Sequence, residues 1–182
     1  MRWELKNNLI LIGYMGCGKS SVGRQLSDFF SAPFLDTDQL IEKKEGCSIK
    51  DIFSRQGEEA FREMETECLK ELLNQRIQGT IISVGGGLPL REENRKLLNR
   101  LGQVIYLKAT PKTLFERLKG DTARPLLQVE DPQKHIQNML EKREEFYQDA
   151  ARMVIQVDGK SFGQIVKEIS RIEEKENENS GD

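Results

Sequence analysis

No apolar run in this chain approaches the roughly 20 residues that a membrane span requires. The opening stretch Met1-Arg2-Trp3-Glu4-Leu5-Lys6-Asn7-Asn8 lacks the hydrophobic segment of a signal peptide. A cytoplasmic protein without a membrane partner is therefore expected. Positive charge is not in excess either, with 28 Lys plus Arg against 30 Asp plus Glu. Nothing in that balance would hold a nucleic-acid backbone, so no nucleic-acid partner is expected. Cysteine is scarce: Cys17, Cys47 and Cys68 are too few and too scattered for a disulfide framework or a zinc site. No internal repeat is present. What remains is 182 residues, 37% hydrophobic and 32% charged, which suits one globular domain with a proper core. Residues 1–172 read as that domain. Residues 173–182 are almost all Glu, Lys, Asn, Ser, Gly and Asp, and read as a disordered acidic tail.

The chain is organised around Gly13-Tyr14-Met15-Gly16-Cys17-Gly18-Lys19-Ser20, which fits the phosphate-cradling pattern G-x-x-x-x-G-K-[ST]. Leu9-Ile10-Leu11-Ile12 before it has the length and apolarity of a buried parallel strand. Val22, Leu26, Phe29 and Phe30 after it recur at helical spacing. Between strand and helix, small residues let the backbone curl round an oligophosphate and point N–H groups at its oxygens. Lys19 then neutralises the outer phosphates, and the Ser20 hydroxyl binds Mg²⁺. A phosphorylated nucleotide is the expected ligand. Cys17 lies at a helix start, where a thiol pKa falls and reactivity rises. The plainer reading is a small side chain tolerated at a variable loop position.

Strand and helix signals alternate along the rest of the chain. Residues 32–36 form a short strand ending in Asp36, followed by a helix through Leu40, Ile41 and Lys44. Ser48 to Asp51 has capping-box spacing, Gly57 interrupts the helix it starts, and residues 58–76 resume it with Ala60, Phe61, Met64, Cys68, Leu69, Leu72 and Leu73 as the apolar face. Strands over 80–84, 103–107 and 152–157 alternate with helices after Pro89, Pro111, Pro132 and Phe162. That order predicts a three-layer α/β/α domain of P-loop kinase type with a doubly wound, right-handed parallel sheet of about five strands. Ligands gather at the carboxyl ends of such strands. Residues 119–131, polar and without a clear period, read as a functional lid.

Only one other strand ends in a carboxylate. With strand-like alternation Asp36 and Asp38 project to the same side, one standing near Mg²⁺ through water and the other reaching an acceptor hydroxyl. Asp36 is equally placed to be an N-cap with Gln39 reaching back, and Asp38 to be a first-turn carboxylate favoured by the helix dipole. A switch GTPase fits the sequence badly, because no Asn-Lys-x-Asp motif occurs and Asp36-Thr37-Asp38-Gln39 is not Asp-x-x-Gly. A lid with arginines suits phosphoryl transfer from ATP to a small molecule, where water must be kept out.

In order and spacing these residues resemble the shikimate kinase family from about Leu9 to Val157. The resemblance rests on Gly-Tyr-Met-Gly-Cys-Gly-Lys-Ser-Ser, Phe-Leu-Asp-Thr-Asp ending at Asp38, Ile52-Phe53, and the run from Gly57 through Arg62 to Glu65. Gly85-Gly86-Gly87, Arg117, Arg124-Pro125-Leu126-Leu127, and Arg143 before Tyr147 complete it. It implies ATP- and Mg²⁺-dependent phosphorylation of the 3-hydroxyl of shikimate, giving shikimate 3-phosphate and ADP on the route to chorismate, by an enzyme expected to be a monomer. By the same resemblance Arg62 and Arg143 grip the substrate carboxylate, since a guanidinium can bind two oxygens at once. Asp38 takes the proton of the accepting hydroxyl, and Gly86 offers backbone where a side chain would block the substrate. Gly16, Cys17, Gly18, Lys19, Ser20 and Ser21 hold the nucleotide, Arg117 lies against the adenine, and Arg124 reaches the transferring phosphate. Glu145 stands where the family usually has proline, and residues 119–123 depart in detail. A gluconate-directed kinase of the same fold is the alternative enzyme, since gluconate also offers a carboxylate and hydroxyls. A nucleotide-sensing module that has lost catalysis is a third reading, disfavoured by the retention of Lys19, Asp38 and the motif arginines.

Overall fold

The structure is a computed structural model that describes residues 5–120 and 129–179, with side chains described to residue 175. Five parallel strands, β1 (Leu9–Ile12), β2 (Phe34–Asp36), β3 (Ile81–Ser83), β4 (Gln103–Lys108) and β5 (Met153–Gln156), form one sheet in the order β2-β3-β1-β4-β5. In the register Ile10 stands beside Ile82 on one side and Val104 on the other. All four residues of β1 are fully buried, as a central strand covered on both faces demands. Each such side chain removed from water contributes about 1.5–3 kcal/mol. The expected doubly wound parallel sheet is therefore present.

Helices α1 (Lys19–Phe30), α2 (Thr37–Glu45), α3 (Ile49–Asn74), α4 (Glu92–Leu101), α5 (Pro111–Leu118), α6 (Pro132–Ala150) and α7 (Phe162–Asn179) complete the chain, with a 3-10 turn at Leu88–Leu90. One apolar cluster gathers Leu9 and Leu11 with α1, α5 and α7, and the other gathers Ile10 and Ile12 with α3 and α4. Two layers of helix thus sandwich the sheet. Connections from β1 and from β3 leave towards opposite edges, so the crevice for ligands opens between the carboxyl ends of those two neighbours.

Local sequence explains most boundaries. Ser48 and Asp51 form the expected capping box at the start of α3. Gly57, at φ 86° and ψ 173°, is non-helical and interrupts α3 as expected, so that α3 is two helices joined across a kink. Thr110 caps α5, accepting from the Thr113 N–H, with Pro111 in the first turn.

Two expectations need correction. Asp38 does not alternate with Asp36 along a strand, because β2 ends at Asp36 and Asp38 belongs to the first turn of α2. Asp36 itself ends the strand: its side chain accepts from the Asp38 and Gln39 N–H groups as the N-cap. The chain past Glu173 is also helical rather than irregular, to Asn179. Ile165, Val166 and Ile169 pack this helix into the core, Ile172 packs against it, and Glu173 is itself buried. The Glu- and Lys-rich residues that follow have good helix propensity and extend a turn that packing has already formed. Of the lid read at 119–131, residues 121–128 lie outside the described residues, and Arg124 with them.

Candidate active site

The loop between β1 and α1 curls through glycines in the left-handed region, Gly16 at φ 82° and Gly18 at φ 104°. Side chains from elsewhere close round its outer wall. A Cβ on Gly16 would stand 2.9 Å from Leu118, and one on Gly18 2.8 Å from Phe162. Arg117 Nη1 donates to the carbonyls of Cys17 at 2.9 Å and Gly16 at 3.3 Å, and its guanidinium lies over Phe162, 5.3 Å from the ring centre. Lys19 is folded over the loop: Nζ donates to Gly13 O at 2.8 Å and Tyr14 O at 3.2 Å. These carbonyls hold the ammonium until a stronger anionic partner arrives. Ser20 and Ser21 are exposed at the start of α1, whose free N–H groups and dipole favour an anion. Cys17 is fully buried, its sulfur 3.8 Å from Lys19 Nζ. It therefore fills space in the loop and offers solvent no thiol.

Asp36 performs two tasks. Oδ1 caps α2, while Oδ2 accepts from the Ser20 hydroxyl at 3.4 Å. Capping of α2 and contact with the Ser20 hydroxyl thus coexist in one carboxylate. Among the described residues no group of three or more His, Cys, Asp or Glu is arranged to hold a metal. Any cation here must draw most of its ligands from phosphate and water.

Asp38 lies across the crevice. Its Oδ1 is buried with no hydrogen-bond partner, and so is Oε1 of Glu65. Both oxygens border Gly85: a Cβ there would be 2.9 Å from Asp38 Oδ1 and 2.7 Å from Glu65 Oε1. The Gly85 N–H donates to Thr37 Oγ1 at 3.3 Å, tying the end of β3 to α2. Burial pushes the Asp38 carboxyl up to about 6, Asp36 adding to the effect while Lys19 opposes it. Burial likewise pushes Glu65 up to about 7, against the pull of Arg62.

Arg62 reaches the same place from α3, held by Glu65 at 2.7 Å and Glu58 at 3.1 Å. Its guanidinium lies against Gly87, where a Cβ would come within 2.6 Å of Cζ. Gly85 and Gly87 are thus the residues that must be bare for the protein's own side chains. Gly86 is looser, its nearest neighbour for a Cβ being Gly13 O at 3.4 Å. Arg143 arrives from α6, over the Tyr14 ring at 5.5 Å and with Nη1 3.8 Å from a Cβ position on Gly86. Tyr147, one turn on, donates its hydroxyl to Gly86 O at 2.7 Å.

The predicted residues Lys19, Ser20, Asp36, Asp38, Arg62, Gly86 and Arg143 therefore meet at the ends of β1, β2 and β3, with Arg117 behind the loop. Glu65 received no role from the sequence. Its signal was available: a carboxylate one turn after Phe61 and one turn before Cys68 and Leu69, inside an otherwise apolar stripe. The glycine loop and the start of α1 face a pocket lined by the Arg62 and Arg143 guanidinium groups and by the buried, unpartnered Oδ1 of Asp38. That arrangement can hand a phosphoryl group to a small hydroxy acid. Two other depressions, of about 570 Å³ and about 800 Å³, contain none of these residues.

Comparison with known proteins agrees. A family model described as shikimate kinase matches residues 15–173. The chain is 41% identical over 174 residues to a shikimate kinase of Thioalkalivibrio sulfidiphilus, covering 96% of this chain and 90% of that one. In structure it is similar to a shikimate kinase from Acinetobacter baumannii solved in complex with shikimate, with TM-score 0.85, 34% identity and 93% of each chain covered. A gluconokinase from Sinorhizobium meliloti superposes at TM-score 0.58 with 20% identity over 98% of this chain and 99% of that one, a likeness of fold alone.

Proposed function

The chain belongs to the shikimate kinase family, and from that premise we propose how its residues divide the work. It phosphorylates shikimate at the 3-hydroxyl with ATP as donor, a small-molecule kinase on the route to chorismate. The N–H groups of residues 16–21 and the N-terminus of α1 receive the phosphates. Lys19 leaves the Gly13 and Tyr14 carbonyls for the phosphate oxygens. Arg117, already bonded to the loop and stacked on Phe162, presents a flat cation to the adenine, and Arg124 reaches the transferring group.

Magnesium suits the donors at hand. Ser20 Oγ and Asp36 Oδ2 are hard oxygens 3.4 Å apart, and Mg²⁺ takes few protein ligands and keeps water and phosphate for the rest. Ser20 and Asp36 would hold it there, where it would supply neutralisation of the phosphate charge.

On the acceptor side Arg62 and Arg143 take the carboxylate in charge-assisted hydrogen bonds. The Gly86 backbone lies under the ring, where the Tyr147 hydroxyl holds its carbonyl. Asp38 Oδ1 accepts the 3-hydroxyl and then its proton as that oxygen bonds to phosphorus and ADP departs. The observation that carries this assignment is the buried, unpartnered Oδ1 of Asp38. An unsatisfied acceptor in such a place costs about 1–3 kcal/mol unless a ligand supplies the donor. Its raised pKa suits a group that must gain a proton during the reaction.

A cytoplasmic setting is the reading we adopt, one in which the free Cys17, Cys47 and Cys68 stay reduced; no helix of the described residues is long and apolar enough to cross a membrane. The test of the acceptor assignment is ADP release with ATP and Mg²⁺ in the presence of shikimate, of gluconate, or of neither. Release dependent on shikimate alone is expected. Equal or greater release with gluconate would overturn the assignment.

A further inference from the structure

Arg143 can reach the acceptor pocket only if α6 is turned to one rotation about its own axis, and that helix has a gap in its apolar anchoring. Ile136 and Leu140 are buried towards its start, Tyr147 and Ala150 towards its end, and no apolar residue between Leu140 and Tyr147 is buried. Arg143 sits in that gap. On the outer side Arg95 of α4 holds the helix through Asp149 at 2.5 Å and over the Phe146 ring at 5.0 Å. On the sheet side the gap is filled by one carboxylate.

That carboxylate is Glu144. Its Oε2 accepts from the Tyr106 hydroxyl at 2.7 Å, and its Oε1 from Lys108 Nζ at 2.5 Å and from Gln148 Nε2 at 2.8 Å. Tyr106 and Lys108 are both residues of β4. Burial raises the Glu144 carboxyl, but the hydrogen bonds from Lys108, Gln148 and Tyr106 outweigh it and leave the group below its ordinary range, hence ionised. Tyr106 is almost wholly buried, and its ring lies 5.0 Å from that of Tyr147. Successive helical residues are turned by about 100°, so Arg143 with Tyr147 and Glu144 with Gln148 form adjacent stripes. Fixing the second stripe to β4 aims the first at the ends of β1 and β3. There Arg143 lies over Tyr14, and Tyr147 bonds to Gly86 O.

We propose that Glu144 is a positioning residue for acceptor binding, clamped by Tyr106 and Lys108 so that α6 presents Arg143 and Tyr147 to the pocket. The proposal rests on the reading of Arg143 as a carboxylate-binding residue, and its test keeps the two apart.

The test is steady-state kinetics on Glu144→Ala, Glu144→Gln, Lys108→Met, Arg143→Ala and the Glu144→Ala/Arg143→Ala double variant, with shikimate and ATP each varied and melting temperatures recorded. Glu144→Ala is expected to raise the KM for shikimate about three- to tenfold, the scale of coupling between neighbouring groups. The KM for ATP should stay unchanged. Glu144→Gln, which keeps an acceptor oxygen, should recover part of the loss. In the Arg143→Ala background the same change should add much less, only what the aim of Tyr147 at Gly86 O contributes. A merely structural role would instead lower the melting temperature and burden both backgrounds equally, which would overturn the proposal. Should Glu144→Ala fail to fold, Lys108→Met removes one arm of the clamp from a half-exposed position. It must then show the same shift for shikimate alone, and its absence would overturn the proposal. If Arg143→Ala raises the shikimate KM while neither clamp variant does, only the clamp is refuted. If Arg143→Ala itself leaves that KM unmoved, the acceptor-site reading falls and the clamp with it.

Discussion

Replacing Gly87 by alanine should damage the acceptor side of the site and leave the nucleotide side intact. The added Cβ would stand 2.6 Å from both Cζ and Nη1 of Arg62. Gly87 has φ −93°, which any residue adopts, so backbone strain does not enter. The guanidinium must move, and moving breaks its 2.7 Å contact with the fully buried Glu65. With Arg62 gripping the substrate carboxylate as proposed, a charge-assisted bond worth about 1.5–3 kcal/mol should go with it. At about 1.4 kcal/mol per decade the KM for shikimate rises about 10- to 150-fold. That contact is made in ground and transition states alike, so kcat falls less. Gly86→Ala is the companion. In the free protein its Cβ meets nothing closer than 3.4 Å, so the melting temperature should hold. Any rise in shikimate KM then reports contact with bound substrate. Coupled measurement of ADP release, with each substrate varied, reads both variants. A Gly87→Ala enzyme with parental KM for shikimate, or with the KM for ATP rising in parallel, would refute the reasoning.

Lys19→Ala should abolish turnover yet shift unfolding by no more than about 1 kcal/mol, because the side chain bonds only two loop carbonyls and, weakly, the Cys17 sulfur. Near-normal turnover would remove the phosphate loop from the reaction. The pH profile of kcat/KM for shikimate should carry an acid limb at about 6, since Asp38 must be ionised to receive the proton. A limb at the ordinary carboxyl value would contradict the buried setting. Stability should run the other way. Asp38 and Glu65 titrate at about 6 and about 7 when folded, against ordinary values of 3.8 and 4.5. The native state therefore holds protons that the unfolded chain has released, and the ligand-free enzyme loses stability as pH rises through that window. Thermal melts across it should show the decline and a flatter one in Glu65→Gln. A melting temperature that climbs instead would refute the assignment.

The phosphate loop was legible because its spacing falls between a four-residue apolar run and a helical period, two signals that need no tertiary information. Asp36 was legible as a cap because Gln39 follows at the right distance. Asp38 was placed on the correct side of the crevice for the wrong reason, since a strand of three residues ends before alternation can reach it. Glu65 stays hidden in the sequence because it stands inside an apolar helical stripe, where periodicity marks the core face and not the one charge on it. Tyr147 to Gly86 and Arg143 to Tyr14 join segments far apart in the chain, and no local pattern encodes such contacts. The closing helix was underestimated for a related reason. Composition alone makes residues 173–179 look unstructured, whereas the packing of Ile165, Val166 and Ile169 starts a helix that carries them along.

The division between base and anchor is tested most directly by steady-state kinetics on Asp38→Asn and Arg143→Ala with shikimate as the varied substrate. Asp38→Asn keeps the shape and one acceptor oxygen but cannot take the proton, so kcat should fall about 10²- to 10⁴-fold, towards the lower end because phosphoryl transfer is largely positioning and electrostatics. Arg143→Ala should raise the KM for shikimate with kcat less affected, and the KM for ATP should stay level in both. Normal turnover by Asp38→Asn, or weakened ATP in place of shikimate in Arg143→Ala, would contradict the account.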